Sequence, residues 1–179
     1  MKVRKRNIIL ISTLLGFLLF PSITQNDYLQ EVSTTVLSSE NVESITLYST
    51  ESDVLRIFGK PEKIHKTKNP ISSYYKYAGL EIGINNQQVF RYIITDNYTT
   101  QHGIKVGDSK EHVIDIYGNN YYKKTESGSF IMGYIDYENN IILEIALNKD
   151  CVIGMLIKKV VQTRNLNYLK HLKIITPFY

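Results

Sequence analysis

Cysteine is almost missing from this chain: Cys151 is the single one in 179 residues, so no disulfide can form within it. Small exported animal domains lean on such bridges, and doing without them points to a bacterial exported protein. No cysteine follows the N-terminal apolar run, which excludes a lipid-modified cysteine terminus. That run, Ile8 to Phe20, also falls short of the ~20 residues that a spanning helix needs. Excess charge is lacking as well. Four of the 21 lysines and arginines lie in the first 24 residues and none of the 17 acidic residues does, so the remainder is formally neutral and gives no support to nucleic-acid binding. His65, His102, His112 and His171 show no metal-ligand spacing, and the EF-hand pattern with its central glycine is absent.

What is present begins with an export signal. Lys2, Arg4, Lys5 and Arg6 precede the apolar run, Pro21 ends it, and Ser22-Ile23-Thr24 sets smallish residues before a cleavage after Thr24. Residues 1–24 are expected to be removed, with an uncleaved N-terminal membrane anchor as the alternative. Residues 25–42 are polar, rich in Ser and Thr and without a period, and read as a flexible tether.

The rest of the chain contains a stretch that occurs twice. Ile104 to Gly118 reads IKVGDSKEHVIDIYG, and Ile45 to Gly59 reads ITLYSTESDVLRIFG, with Ile, Val, Ile and Gly in register. Leu143 to Ile157 (LEIALNKDCVIGMLI) matches Leu80 to Ile94 (LEIGINNQQVFRYII) in the same order. Two ordered matches imply a duplicated unit. In each copy a capping residue, Ser49 or Asp108, opens a short helix whose apolar side carries Val54, Ile57 and Phe58, or Val113, Ile116 and Tyr117, before Gly59 or Gly118 stops it. Helices of two to three turns need a sheet to pack on. Alternating runs supply one: 73–77, 80–84 and 89–94 in the first copy, and about 129–137, 141–147 and 152–160 in the second. The expected fold is therefore α+β, two tandem helix-then-three-stranded antiparallel units (43–94 and 104–160) forming one shared sheet with helices on one face. Residues 95–103 read as a linker, and 161–179 as a C-terminal tail carrying Leu166, Leu169 and Leu172.

The segment Val106-Gly107-Asp108-Ser109 with Val113 and Tyr117-Gly118, followed by Tyr-rich strands, resembles the SmpA/OmlA-like lipoproteins of outer-membrane assembly. In duplicated form it is also similar to the β-lactamase inhibitor protein architecture. The resemblance covers most of residues 45–160 and implies a non-enzymatic protein-binding scaffold. It carries over no binding residue, because the matched positions are structural.

Candidate chemistry is sparse. Ser109, His112 and Asp108 offer nucleophile, base and carboxylate within one helix start, but the matching positions of the first copy are Thr50 and Asp53, and a helix cap explains both sets. Cys151 falls in a hairpin turn with nothing beside it to lower its pKa. Asp136, Glu138, Asn139 and Asn140 could offer oxygens to a hard cation, although a polar hairpin tip has the same composition. The 14 tyrosines concentrate in the strands, where they suit a contact surface as well as a sheet.

A turn at Asn86-Gln87 with strict alternation places Leu80, Ile82, Ile84, Val89 and Ile93 beneath the helices, and Glu81, Gly83, Phe90 and Tyr92 on the other side with Glu144, Ala146, Ile153 and Met155. Arg91 then points awkwardly toward the core. The expected partner-binding residues are Glu81, Phe90, Tyr92, Glu144 and Met155. The function expected is an exported, non-enzymatic binding module for a protein or cell-envelope component, with no cofactor, no metal and no nucleic acid. A secreted enzyme-inhibitor or immunity-type protein and a small extracytoplasmic hydrolase are the alternatives.

Overall fold

The computed structural model describes residues 32–68 and 71–160; the expected signal peptide, the start of the tether and the C-terminal tail lie outside the described residues. Helix α1 (Glu51–Phe58) is followed by strands β1 (Lys63–Lys68), β2 (Ile71–Tyr77), β3 (Leu80–Asn85) and β4 (Gln88–Ile94). Helix α2 (Lys110–Tyr117) is followed by β5 (Tyr122–Glu126), β6 (Ser129–Asp136), β7 (Ile141–Asn148) and β8 (Cys151–Lys159). All eight strands form one sheet in the order β1-β2-β3-β4-β8-β7-β6-β5, every neighbouring pair antiparallel.

This corrects the expected fold class. Among the described residues the protein is β-rich, with two short helices laid on an eight-stranded antiparallel sheet, and neither half is a helix followed by three strands. The overlooked strands are β1 and β5, the two edges of the sheet. Their sequences, KIHKTK and YKKTE, are mostly polar and largely exposed, as edge strands protected by lysine tend to be. An edge strand has little reason to show the apolar alternation that marks the inner strands.

Each helix starts one residue later than expected. Thr50 and Ser109 are the caps, their hydroxyls accepting from the backbone N–H of Asp53 and His112. Ser49 and Asp108 instead close the turn before the helix, accepting from Thr46 N at 3.0 Å and Lys105 N at 2.9 Å. Both helix starts are tied to a hairpin. Glu51 N donates to Gln87 O and Lys110 N donates to Asp150 O, each at 2.9 Å. Those carbonyls sit in two-residue turns, Asn86-Gln87 and Lys149-Asp150, in which both residues have positive φ, as tight hairpins prefer.

The core lies on one face. Val54 and Val113 from the helices are fully buried against Ile82, Tyr92, Ile94, Leu143, Ile145, Met155 and Ile157 of the sheet. Leu37, Val42, Ile45 and Leu47 join the same cluster. Residues 32–42, read as tether, are therefore part of the packed body: Thr35 N donates to Ile135 O at 2.7 Å and Leu37 N to Asp136 Oδ2 at 2.9 Å. Only an apolar residue every few positions was needed for that, too sparse a pattern to register as an element.

Candidate functional site

Among the described residues, the sheet's second face is covered over only part of its area. On the β5–β7 side Val32, Tyr122, Ile135, Tyr137 and Ile142 form a small separate cluster, with Val160 packed against it. Across β1 to β4 the described residues leave the face open, and a groove of about 330 Å³ runs there. Lys63, His65 and Thr67 of β1 form one wall, and Tyr74 and Lys76 of β2 another. Glu81 of β3 and Arg91 of β4 close the far side.

A β-bulge decides what faces this groove. The β3–β4 register shifts between Gly83 and Ile84, pairing Gly83 with Arg91 and Ile84 with Val89, so Phe90 is the extra residue. Phe90 and Arg91 both lie across Gly83, approaching within 2.8–2.9 Å of where a Cβ would stand. Glycine is required there because a larger residue would collide with both. The β7–β8 register shifts in the same manner between Ala146 and Leu147, leaving Ile153 extra and 42% exposed.

The bulges divide the expected binding residues. Glu81 and Phe90 do lie on the open face, and Arg91 turns out to this face as well, which removes the awkwardness of a charge aimed at the core. Glu144 lies on the same face but is 8% exposed. Tyr92 and Met155 belong to the opposite, helix-covered face, at 0% and 2% exposure. Their expected place was wrong because one extra residue in each strand reverses the side on which all later residues emerge. Ile93, expected beneath the helices, pairs with Glu81 and Leu156 on the open face for the same reason.

Within the groove Arg91 is held on two sides. Its Nη2 donates to Glu81 Oε1 at 2.5 Å, and its guanidinium carbon stands 4.5 Å from the centroid of Tyr74. Its Nε is buried and, among the described residues, has no hydrogen-bond partner. Phe90 meets Tyr74 edge-on at 6.0 Å, and His65 lies beside Tyr74 at 6.2 Å. Lys63 and Lys76 are directly opposed across β1 and β2. Lys76 also faces Glu81 across β2 and β3, yet that carboxylate is turned to Arg91, and among the described residues neither lysine has a carboxylate within ion-pair distance.

Glu144, its matching residue in the second half, is enclosed by its own partners. Tyr122 donates to Oε1 at 2.5 Å, Lys124 reaches it at 2.9 Å, and Lys158 approaches Oε2 at 3.7 Å. Burial pushes this carboxyl up, but the Tyr122 and Lys124 hydrogen bonds and the Lys158 charge outweigh it and hold it below the ordinary range. A group so committed is structural.

A second polar cluster lies under the helices. Glu40, 2% exposed, accepts from Tyr117 at 2.8 Å and pairs with His102 Nδ1 at 2.5 Å. Its Oε2 and the hydroxyl of Tyr92 are buried without a partner among the described residues. Burial, and then the nearby Glu40 carboxylate, push the phenols of Tyr92 and Tyr117 up. The cluster fastens residue 40 to the linker and to α2.

The remaining candidates resolve into structure. Ser109 is the α2 cap, and His112 Nε2 stands 4.0 Å from Asp108 with no bond to the Ser109 hydroxyl except through its backbone N–H. Cys151 is exposed at the start of β8. Asp136 accepts from Leu37 N, Glu138 N, Asn139 N and Asn139 Nδ2, which uses its oxygens in shaping the hairpin and docking residue 37. Among the described residues no group of three or more His, Cys, Asp or Glu is placed to hold a metal, and no helix is long and apolar enough to cross a membrane. Lys63, His65, Lys76 and Arg91 were missed from the sequence. The Lys-x-His-x-Thr alternation at 63–67 is the signal that could have located them, once 63–68 is recognised as a strand.

No protein-family model matches the chain, and no curated protein does. Among solved structures it is similar to an extracellular protein containing an SCP domain from Bacillus anthracis str. Ames, at 9% identity and a TM-score of 0.48 over 88% of this chain and 50% of that one. It is also similar to a cysteine-rich secretory protein from Staphylococcus aureus subsp. aureus Mu50, at 8% identity and a TM-score of 0.41 over 72% of this chain and 47% of that one. A DUF4309 family protein from Bacillus subtilis subsp. subtilis str. 168 is similar at 15% identity and a TM-score of 0.43, over 75% of this chain and 91% of that one. The chain spans about half the length of the first two.

Proposed function

We propose that this chain is an exported, non-enzymatic binding module that recognises a protein or cell-envelope component through the open part of its sheet face. The groove across β1 to β4 is the observation that supports the reading: its polar groups and the Tyr74 ring converge on one open concavity, and cations outnumber carboxylates there. Export is inferred from the basic and apolar N-terminal segment. We infer also that the two halves descend from one duplicated unit. The recurrence of a capped helix, four strands, a tight turn and a bulge at matching positions supports this, beside the sequence matches.

The test compares the exported protein with its Lys76→Ala variant for retention on isolated envelope, before and after the envelope is stripped of protein. Retention by the unaltered chain that falls at least tenfold in the variant, at unchanged melting temperature, supports the groove as the binding site. Equal retention of the two overturns it. Turnover of ester or peptide substrates that is lost with the same substitution would establish the hydrolase reading instead.

A further inference from the structure

Resting on the reading of the groove as a binding site, we propose that its ligand is a phosphate monoester. The charge of the lining carries the inference. Lys63, Lys76 and Arg91 bring three positive charges and Glu81 one negative, so, leaving His65 out of the count, the lining among the described residues has two more positive charges than negative. A carboxylate or a phosphodiester would neutralise one of them. A phosphomonoester carries about −1.5 to −2 at neutral pH and several acceptor oxygens, which matches both the charge and the number of donors.

The placement of the two lysines supports the same conclusion. Residues directly opposite in an antiparallel pair bring their Cβ atoms to ~5 Å, and like charges so placed repel. Lys63 and Lys76 are such a pair, and the carboxylate that could relieve them is bound to Arg91 instead. A single oxyanion held between both ammonium groups would turn that repulsion into a clamp. Arg91 is already positioned, stacked on Tyr74 and anchored by Glu81. The groove, about 330 Å³, is at the small end of ligand sites and suits a monomeric ester rather than a long chain.

The probe is glycerol 1-phosphate, added to the full exported protein at low salt and followed by calorimetry and by amide and side-chain NMR shifts. Saturable binding is expected, with shifts concentrated at Lys63, Tyr74, Lys76 and Arg91. Affinity should fall at least tenfold in the Lys63→Ala/Lys76→Ala variant at unchanged melting temperature, and glycerol should not bind. The proposal is overturned by unsaturable or dispersed shifts, by equal affinity in the double variant, or by a glycerol phosphodiester or a simple carboxylate binding as tightly as the monoester. If the unaltered protein is retained on envelope through Lys76 yet ignores glycerol 1-phosphate, the ligand assignment falls alone and the binding-module reading stands. If it is neither retained nor titrated, both fall.

Discussion

The ring of Tyr122 on β5 lies over Gly133 on β6, so close that a Cβ added to Gly133 would stand 1.9 Å from the ring carbon Cζ. That contact lets the tyrosine hydroxyl cross β6 and reach Glu144 on β7. Gly133→Ala should therefore cost about 3 kcal/mol or more, at or beyond the upper end of overpacking effects, since the ring must leave its site and give up its carboxylate. Denaturant unfolding measures this. Adding Tyr122→Ala should make the loss much smaller than the sum of the single changes, because the collision is then gone; strict additivity would show that the two residues do not compete for space.

Tyr122→Phe keeps the ring and removes one donor from Glu144. A hydrogen bond to a charged group contributes about 1.5–3 kcal/mol, so a loss of that order is expected at neutral pH. Glu144 is held below the ordinary carboxylate range in the folded state, so its contribution is present above the unfolded pKa and is lost as pH falls through the lowered folded value. Without the Tyr122 hydroxyl the folded value rises. The acid limb of the melting-temperature profile should accordingly move to higher pH, and an unmoved limb would exclude Glu144 as its source.

Tyr92→Phe should behave in the opposite sense. The Tyr92 hydroxyl is buried with no partner among the described residues, so its removal should leave stability unchanged or raise it, and groove binding should not change because the ring is on the helix-covered face. A destabilisation of more than about 1 kcal/mol would mean that the hydroxyl is satisfied, for instance by a buried water shared with Glu40.

Asp53 offers a local pH marker. The Thr50 hydroxyl first, then the Thr50 backbone N–H and Arg56, hold its carboxyl down to about 2 from 3.8. Its contribution to stability is therefore present above 3.8 and is lost as pH falls toward about 2. Thr50→Ala should bring the side-chain carboxyl titration, followed by NMR, back toward 3.8.

Lys63→Glu separates folding from binding. It sets a carboxylate opposite Lys76 on an edge strand, where an opposite-charge pair contributes roughly 0.2–1 kcal/mol and a like pair costs a similar amount. The variant should melt at the same temperature or higher while losing phosphate-ester binding. A lower melting temperature would show that Lys63 serves the fold.

Much of this architecture was local enough to be legible. The stop glycines at 59 and 118, the turn at Asn86-Gln87 and six of the strands follow from backbone preferences that act within a few residues, and the observed bounds agree with the sequence reading to within two positions, the caps having been read one residue early. What tertiary structure decided was pairing. Lys63–Lys68 and Tyr122–Glu126 become strands because β2 and β6 offer them an open edge, and no apolar pattern of their own demands it. A bulge, likewise, is a property of two strands: nothing in Gln88–Ile94 alone says that Phe90 will be skipped by its partner, yet that one step sends Tyr92 into the core and Arg91 out beside Tyr74. Strict alternation assigned Tyr92 and Met155 to the wrong face for this reason, and left the groove unseen. Its lining comes from four strands spread over residues 63–91, which only the register of the sheet brings side by side.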